Sequence, residues 1–245
     1  MASRPRSQTG HAEPDHLNDF ARGYCMTTEQ NKFQPGTDLT VIQLPKPSAL
    51  PGLSLYAALE RRKTTREIRP DALPLQQVSN LLWAACGINR KEGPFGLPGR
   101  TAGSASNSQE IDLYLALPDG LYRYDAKGLC LDPVAAGDFR ACAMTPGQGG
   151  IDAGAPLHLI YVVDTDKLSH TAGFQEPGLQ DPEVQKAYYY VDTGLIAQNV
   201  HLYAAAHGLA AWFHNCDKAA LTRHLNLGAA QHVLFAQSVG LPEHK

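Results

Sequence analysis

Cysteine is sparse in this 245-residue chain: five residues, Cys25, Cys86, Cys130, Cys142 and Cys216, odd in number, scattered, and without a C-x-x-C pair. That distribution excludes a disulfide framework and a zinc ribbon, and it suits a reducing compartment, the cytoplasm. Net charge is almost missing as well. The 21 Lys and Arg set against 24 Asp and Glu leave −3, so there is no basic field to hold nucleic acid or an anionic membrane surface. Long apolar runs are absent too. The most continuous, residues 157–163, falls far short of the roughly 20 residues a spanning helix needs. Also missing are G-x-S-x-G, a Walker lysine motif, and a G-x-G-x-x-G following a strand. What remains is 43% hydrophobic and 18% charged, a globular chain long enough to bury a full core.

Residues 1–31 are polar, carry Arg4, Arg6, His11, Asp15 and His16, and have no apolar stretch of the signal-peptide kind. Met26 offers a second start, so this segment is expected to be a flexible extension preceding a single domain at 32–245. After an extended lead-in at 39–44 and the prolines Pro45, Pro47 and Pro51, Ser54 caps a helix carrying Leu55, Tyr56, Ala58, Leu59 and Arg62. A second helix opens with Pro74 in its first turn, lines up Leu75, Val78, Leu81, Leu82 and Ala85, and stops at Gly87. Residues 89–109, rich in Gly, Pro, Ser and Asn, read as one long loop, of a length that is usually functional or disordered. Period-two alternation at 111–117, a Pro-Asp-Gly turn and residues 121–125 predict a hairpin. The run at 157–163 predicts a central strand buried on both faces.

The longest predicted helix starts at the cap Asp181 with Pro182 and Glu183 in its first turn, and reaches His207 before Gly208. Gly194 in its middle costs about 1 kcal/mol relative to Ala, which makes sense if another backbone packs there. With Ala204, Ala205 and Ala206 placed on its surface, the helix suggests a core shared between two subunits. A short helix at 218–225 and a strand at 233–239 close the chain. Helices and antiparallel strands are segregated, so the class is α+β.

Three stretches could carry chemistry. Residues 61–66, Arg-Arg-Lys-Thr-Thr-Arg, either grip a phosphate through charge-assisted bonds or form a solvated basic patch at a helix C-terminus. Residues 99–109 are either a mobile loop or a backbone that a flat heteroaromatic ring can approach, with Ser104, Ser106, Asn107 and Gln109 as partners. Residues 208–216 wall a planar cofactor or form a buried strand. His214-x-Cys216 lacks a second ligand pair, so no metal site is expected.

These pieces together resemble the FMN-dependent nitroreductase family, in particular its short dehydrogenase-like branch related to thiazoline oxidases. The residues that carry the resemblance are Arg62-Lys-Thr-Thr-Arg66, Leu81-Leu-Trp-Ala-Ala-Cys-Gly-Ile-Asn-Arg90, Gly99-Arg-Thr-Ala-Gly-Ser-Ala-Ser-Asn107, Asp192-Thr-Gly-Leu-Ile-Ala-Gln-Asn-Val-His-Leu202 with His207-Gly-Leu209, and Ser238-Val-Gly-Leu-Pro242. Gly103 stands where the branch usually has proline, and Lys186 and Tyr188 are offset from the adjacent Lys-Tyr pair of thiazoline oxidases, so they are read as surface residues. The resemblance implies a nitroreductase-like fold, a central mixed or antiparallel sheet flanked by helices, in an interleaved homodimer with one FMN at each of two interface sites. Carried over by position, Arg62, Lys63, Thr64 and Arg66 would hold the phosphate, with Lys245 as a further cation. Ser104, Ser106 and Asn107 would touch the isoalloxazine and ribityl, while Phe213, Asn215 and Cys216 would line the flavin near N5. No side-chain nucleophile is called for. The implied activity is reduction of a flat nitroaromatic or quinone by NAD(P)H. The alternatives are an FMN dehydrogenase acting on a peptide-derived or other organic substrate, and a flavin-binding protein without turnover.

Overall fold

The run at 157–163 forms an interior strand of the sheet, with all seven of its residues fully or almost fully shut from solvent. The computed structural model describes residues 39–49, 52–148 and 154–244; the extension expected at 1–31 and Lys245 lie outside them. Nine strands are described: β1 (Ile42–Gln43), β2 (Ile88–Arg90), β3 (Gly99–Arg100), β4 (Ile111–Ala116), β5 (Gly120–Asp125), β6 (Cys130–Ala136), β7 (Leu157–Asp164), β8 (Ala210–His214) and β9 (Gln231–Gly240). Seven form one sheet in the order β1-β6-β5-β4-β7-β9-β8, while β2 and β3 make a separate ribbon. Every pairing is antiparallel.

Alternation along β7 decides the layering. Leu157, Leu159, Tyr161 and Val163 join one core, whereas Ile160 and Val162 join another across the sheet. The first core is covered by α2 (Leu75–Cys86) and α4 (Pro182–Ala206), through Val78, Leu81, Leu82 and Ala85 and through Ile196, Ala197, Val200 and Ala204. The second is covered by α5 (Lys218–His224) and a 3₁₀ turn at Arg140–Ala143. Truncating a fully buried Leu81 or Leu82 to Ala would cost about 2–5 kcal/mol.

Caps explain the helix starts. Ser54 accepts from the Ala57 N–H at the head of α1 (Leu55–Arg61), and Asp181 accepts from the Glu183 N–H at the head of α4. Pro74 precedes α2 as its cap instead of occupying its first turn. Beyond α4, Gly208 takes φ +68°, a left-handed exit that favours glycine.

Several expectations need correction. Residues 89–109 are not a bare loop: the β2–β3 ribbon and 3₁₀ turns at Pro94–Gly96 and Ala105–Asn107 give them structure. A sixth strand, β6, and a short helix, α3 (Thr165–His170), were not foreseen. Ala204 is buried at 2% exposure and not on the surface of α4. The most exposed large apolar residues of that helix are Val191, at 60%, and Leu195, at 46%. Between them Gly194 has no described atom within 4 Å of where a Cβ would stand, so no backbone among the described residues packs against it.

Candidate functional site

Helix α4 organises the candidate residues at two levels. Near its middle, Asp192 accepts from the Ala105 N–H at 2.8 Å, which ties the turn at residues 104–107 to the helix. Nine residues on, about 14 Å along the axis, His201 is held below its ordinary pKa by burial and by the charge of Arg62. The basic turn and the small-residue turn are therefore positioned by one helix but not brought together within one chain.

The basic turn follows α1, with Arg62 as the cap residue whose N–H reaches the Ala58 carbonyl. The Thr65 N–H donates to the Ala211 carbonyl at 3.1 Å, so the turn lies along β8. The Arg66 guanidinium stands 5.3 Å from the centre of the Trp212 ring, a cation–π distance. Lys63, Thr64 and Arg66 are exposed and Arg62 is half-buried. Among the described residues no carboxylate forms an ion pair with Arg62, Lys63 or Arg66. Uncompensated cations beside a threonine hydroxyl fit a phosphate dianion.

The same strand leads to the third stretch. Phe213 packs against Phe235 and Tyr161, at 4.8 and 5.6 Å between ring centres. Asn215 is exposed, whereas Cys216 is buried in the second core, where burial pushes its thiol up to about 12. The carbonyl of Asn215 is fixed from behind: His214 Nδ1 lies 2.8 Å from it, and His214 Nε2 lies 2.8 Å from Ser238 Oγ, which in turn is 3.0 Å from His158 Nδ1. One assignment satisfies these contacts. His214 donates from Nδ1 to Asn215, Ser238 donates to His214, and His158 donates from Nδ1 to Ser238. It leaves only the acceptor His158 Nε2 without a partner.

In the small-residue turn, Ser106, Asn107 and Gln109 all have positive φ, at +50°, +55° and +52°. Left-handed backbone costs about 1–2 kcal/mol for a non-glycine residue, and side chains offset it. Ser104 Oγ accepts from the Gln109 N–H at 3.0 Å. Asn107 donates to the Pro94 carbonyl at 3.0 Å and Gln109 to the Pro98 carbonyl at 2.7 Å. The Asn107 amide is thus committed to the neighbouring loop. Arg100 braces Gln109 at 2.6 Å and the Cys86 carbonyl at 3.0 Å.

Behind this turn lies a cavity of about 570 Å³ that Ser104, Arg100, Tyr124, Lys167, Asp192 and Ile196 help to line. Neither the basic turn nor residues 213–216 reach it. Lys167 pairs with Asp112 at 2.7 Å. Glu110, Asp192 and Tyr124 were not singled out from sequence. The available signal was Asp192, an acid among the buried positions Thr193, Ile196 and Ala197 of α4.

The model of the nitroreductase family matches residues 59–241. A nitroreductase-family protein of Methanocaldococcus jannaschii is 26% identical over 70% of this chain and 82% of its own length. A crystal structure of a nitroreductase-family protein from Ralstonia eutropha JMP134 is 34% identical, covers 86% of this chain and 93% of that one, and superposes with a TM-score of 0.74. Another, from Desulfovibrio desulfuricans and solved in complex with FMN, shares the fold at TM-score 0.52 with 19% identity, over 78% of this chain and 87% of that one. This chain belongs to the nitroreductase family.

Proposed function

We propose that the protein is an FMN-dependent oxidoreductase in which NAD(P)H reduces a flat acceptor such as a nitroaromatic or a quinone. The observation that carries the reading is the cation set Arg62, Lys63 and Arg66, without an ion-pair partner among the described residues and pinned alongside β8, the strand that leads to the exposed Asn215. Arg62, Lys63, Thr64 and Arg66 hold the phosphate, and Lys245 is a further cation in the same role. Residues 104–107 meet the isoalloxazine and ribityl, with Phe213, Asn215 and Cys216 near N5. The redox chemistry, hydride from NAD(P)H to N5 and then electrons to the acceptor, belongs to the flavin when bound. The protein holds the ring, aims backbone N–H groups at it, and keeps water from the reacting face.

Two copies complete the site in this reading. Leu55, Tyr56 and Leu59 on α1 are 52–73% exposed, and Val191 and Leu195 on α4 add to the open apolar surface. Such surface is typical of an interface, and the homodimer covers it. Among the described residues no helix is long and apolar enough to cross a membrane, and the reducing cytoplasm is the proposed setting.

The test is an anaerobic titration of FMN-loaded protein. NADPH or NADH should bleach the yellow flavin band, and 1,4-naphthoquinone or 4-nitrobenzoate should restore it. Protein that stays colourless in excess FMN would refute the reading. A flavin that resists both nicotinamides but is bleached by an organic donor would favour the dehydrogenase alternative.

A further inference from the structure

Two carboxyl groups meet beneath the turn at 104–107. Glu110 immediately precedes β4 and is 0% exposed; Asp192, on α4, is 4% exposed. Each holds the turn from below. Asp192 Oδ2 accepts from the Ala105 N–H at 2.8 Å, and Glu110 Oε2 accepts from Ser108 Oγ at 2.6 Å. The other Glu110 oxygen, Oε1, receives no N–H or O–H from any described residue, and the Glu110 and Asp192 carboxyls lie within hydrogen-bonding reach of one another.

The surrounding charges do not neutralise the two acids. From β3, Arg100 is bound to Gln109 and the Cys86 carbonyl; from α3, Lys167 is bound to Asp112 of β4, and His170 Nδ1 is bound to the Asp166 carbonyl. Across the strand end, the Asp164 N–H reaches only the backbone carbonyl of Glu110. Two ionised carboxylates in contact at so buried a place repel strongly. A single proton between them removes one charge and supplies the donor that Oε1 lacks.

We propose that Glu110 and Asp192 share one proton and that this protonated pair is the positioning device for the 104–107 turn in flavin binding. The inference rests on the flavin reading given above. Neither acid is a catalytic residue; both act through the backbone they hold. Since the turn and its exit carry three left-handed residues, Ser106, Asn107 and Gln109, they depend on such anchors. Losing the proton leaves two buried negative charges beneath it and lowers the fraction of molecules with the turn in place. Apparent affinity falls by that same fraction.

The direction with pH follows. Burial raises both carboxyls, and Glu110 reaches about 7. The proton is therefore in place on the acid side of neutrality and is lost as pH rises through that region. Flavin should bind more weakly in the alkaline range.

The experiment is an FMN titration of flavin-stripped full-length protein from pH 5.5 to 9, followed by quenching of flavin fluorescence, in the wild type, Asp192→Asn and Glu110→Gln. Each amide keeps an oxygen for its backbone or hydroxyl partner and gives the opposite carboxylate a permanent N–H donor. The wild-type Kd should rise about fivefold or more between pH 6 and 8.5, while either variant should give a flat difference profile. The titration of the FMN phosphate is common to all three proteins and cancels. Hydrogen exchange of the 104–109 amides in the flavin-free proteins, corrected for intrinsic pH dependence, should show protection falling with pH in the wild type alone. Equal pH slopes in wild type and variants, in binding or in exchange, would overturn the proposal. Should no FMN bind at any pH, the flavin reading fails, and the exchange profiles still decide whether the pair anchors the turn. Two variants guard against one failing to fold.

Discussion

Arg66 holds its guanidinium over Trp212, a ring that is only 6% exposed and belongs to the strand leading to Phe213 and Asn215. The contact fixes the side chain without using up its charge. A cation set in place but left unpaired is what a phosphate site needs before the phosphate arrives.

Reversing one of these charges should therefore cost binding more than folding. Lys63→Glu is expected to weaken FMN about 10- to 100-fold, the worth of a charge-assisted bond, with the denaturation midpoint little changed. Arg66→Ala should weaken FMN and also destabilise slightly, because the ring contact goes with it. Fluorescence titration together with urea melts checks both.

Gly194 offers a test of the shared interface that opposes two effects. In an isolated chain Gly194→Ala should stabilise α4 by about 1 kcal/mol, since none of the described residues meets the new methyl. In a dimer seated on Val191 and Leu195 the methyl intrudes. Dissociation should then become roughly 5- to 100-fold easier, the range for overpacking by 1–3 kcal/mol. Sedimentation across a dilution series reads the outcome, with Leu195→Asp as the stronger variant.

Tyr124 carries a buried hydroxyl with no hydrogen-bond partner among the described residues, and burial raises its pKa, so it stays neutral. An unpaired polar group costs about 1–3 kcal/mol. Tyr124→Phe should stabilise the flavin-free protein by about 1 kcal/mol, seen as a higher urea midpoint at unchanged slope.

His158 sets an acid limit on stability. Burial, with His214 and Arg140 adding to it, lowers its pKa from 6.5 to about 3. For a depressed base the stabilisation is whole above the unfolded value and is lost as pH falls below it. Relative to His158→Gln, the wild type should lose up to about 1.4 kcal/mol per pH unit below 6.5. Glu110 acts in the opposite sense, being raised from 4.5 to about 7, so its contribution is whole below 4.5 and lost towards 7. The difference between the two proteins in urea melts at pH 5 and pH 7 isolates the histidine.

Much of this architecture was legible in local pattern. The hairpin β4–β5 announces itself by alternation around a Pro-Asp-Gly turn, and α4 by Asp181 and Pro182. β6 does not, because Pro133 interrupts it at a register shift and its second half is largely exposed. α3 is too short, at six residues, to show a helical period. The basic turn and residues 213–216 were recognisable as local motifs, and Thr65 of the first bonds to Ala211 of the strand that leads into the second. The pairing of Glu110 with Asp192 was not readable, since 82 residues separate acids that only the tertiary fold sets face to face. Nor could sequence reveal that Asn107 turns its amide onto the neighbouring loop, which depends on where Pro94 comes to rest.

The bond from Thr65 to Ala211 has a further consequence. Among the described residues β8 closes the sheet at one end and pairs only with β9, so its outer rim would otherwise present free carbonyls to any extended chain that drifted by. The segment that bears the cations covers that rim. A proline at position 65 would strip away its N–H, and the damage would extend beyond cofactor retention: the uncovered border would invite strand addition between molecules and, eventually, insoluble protein.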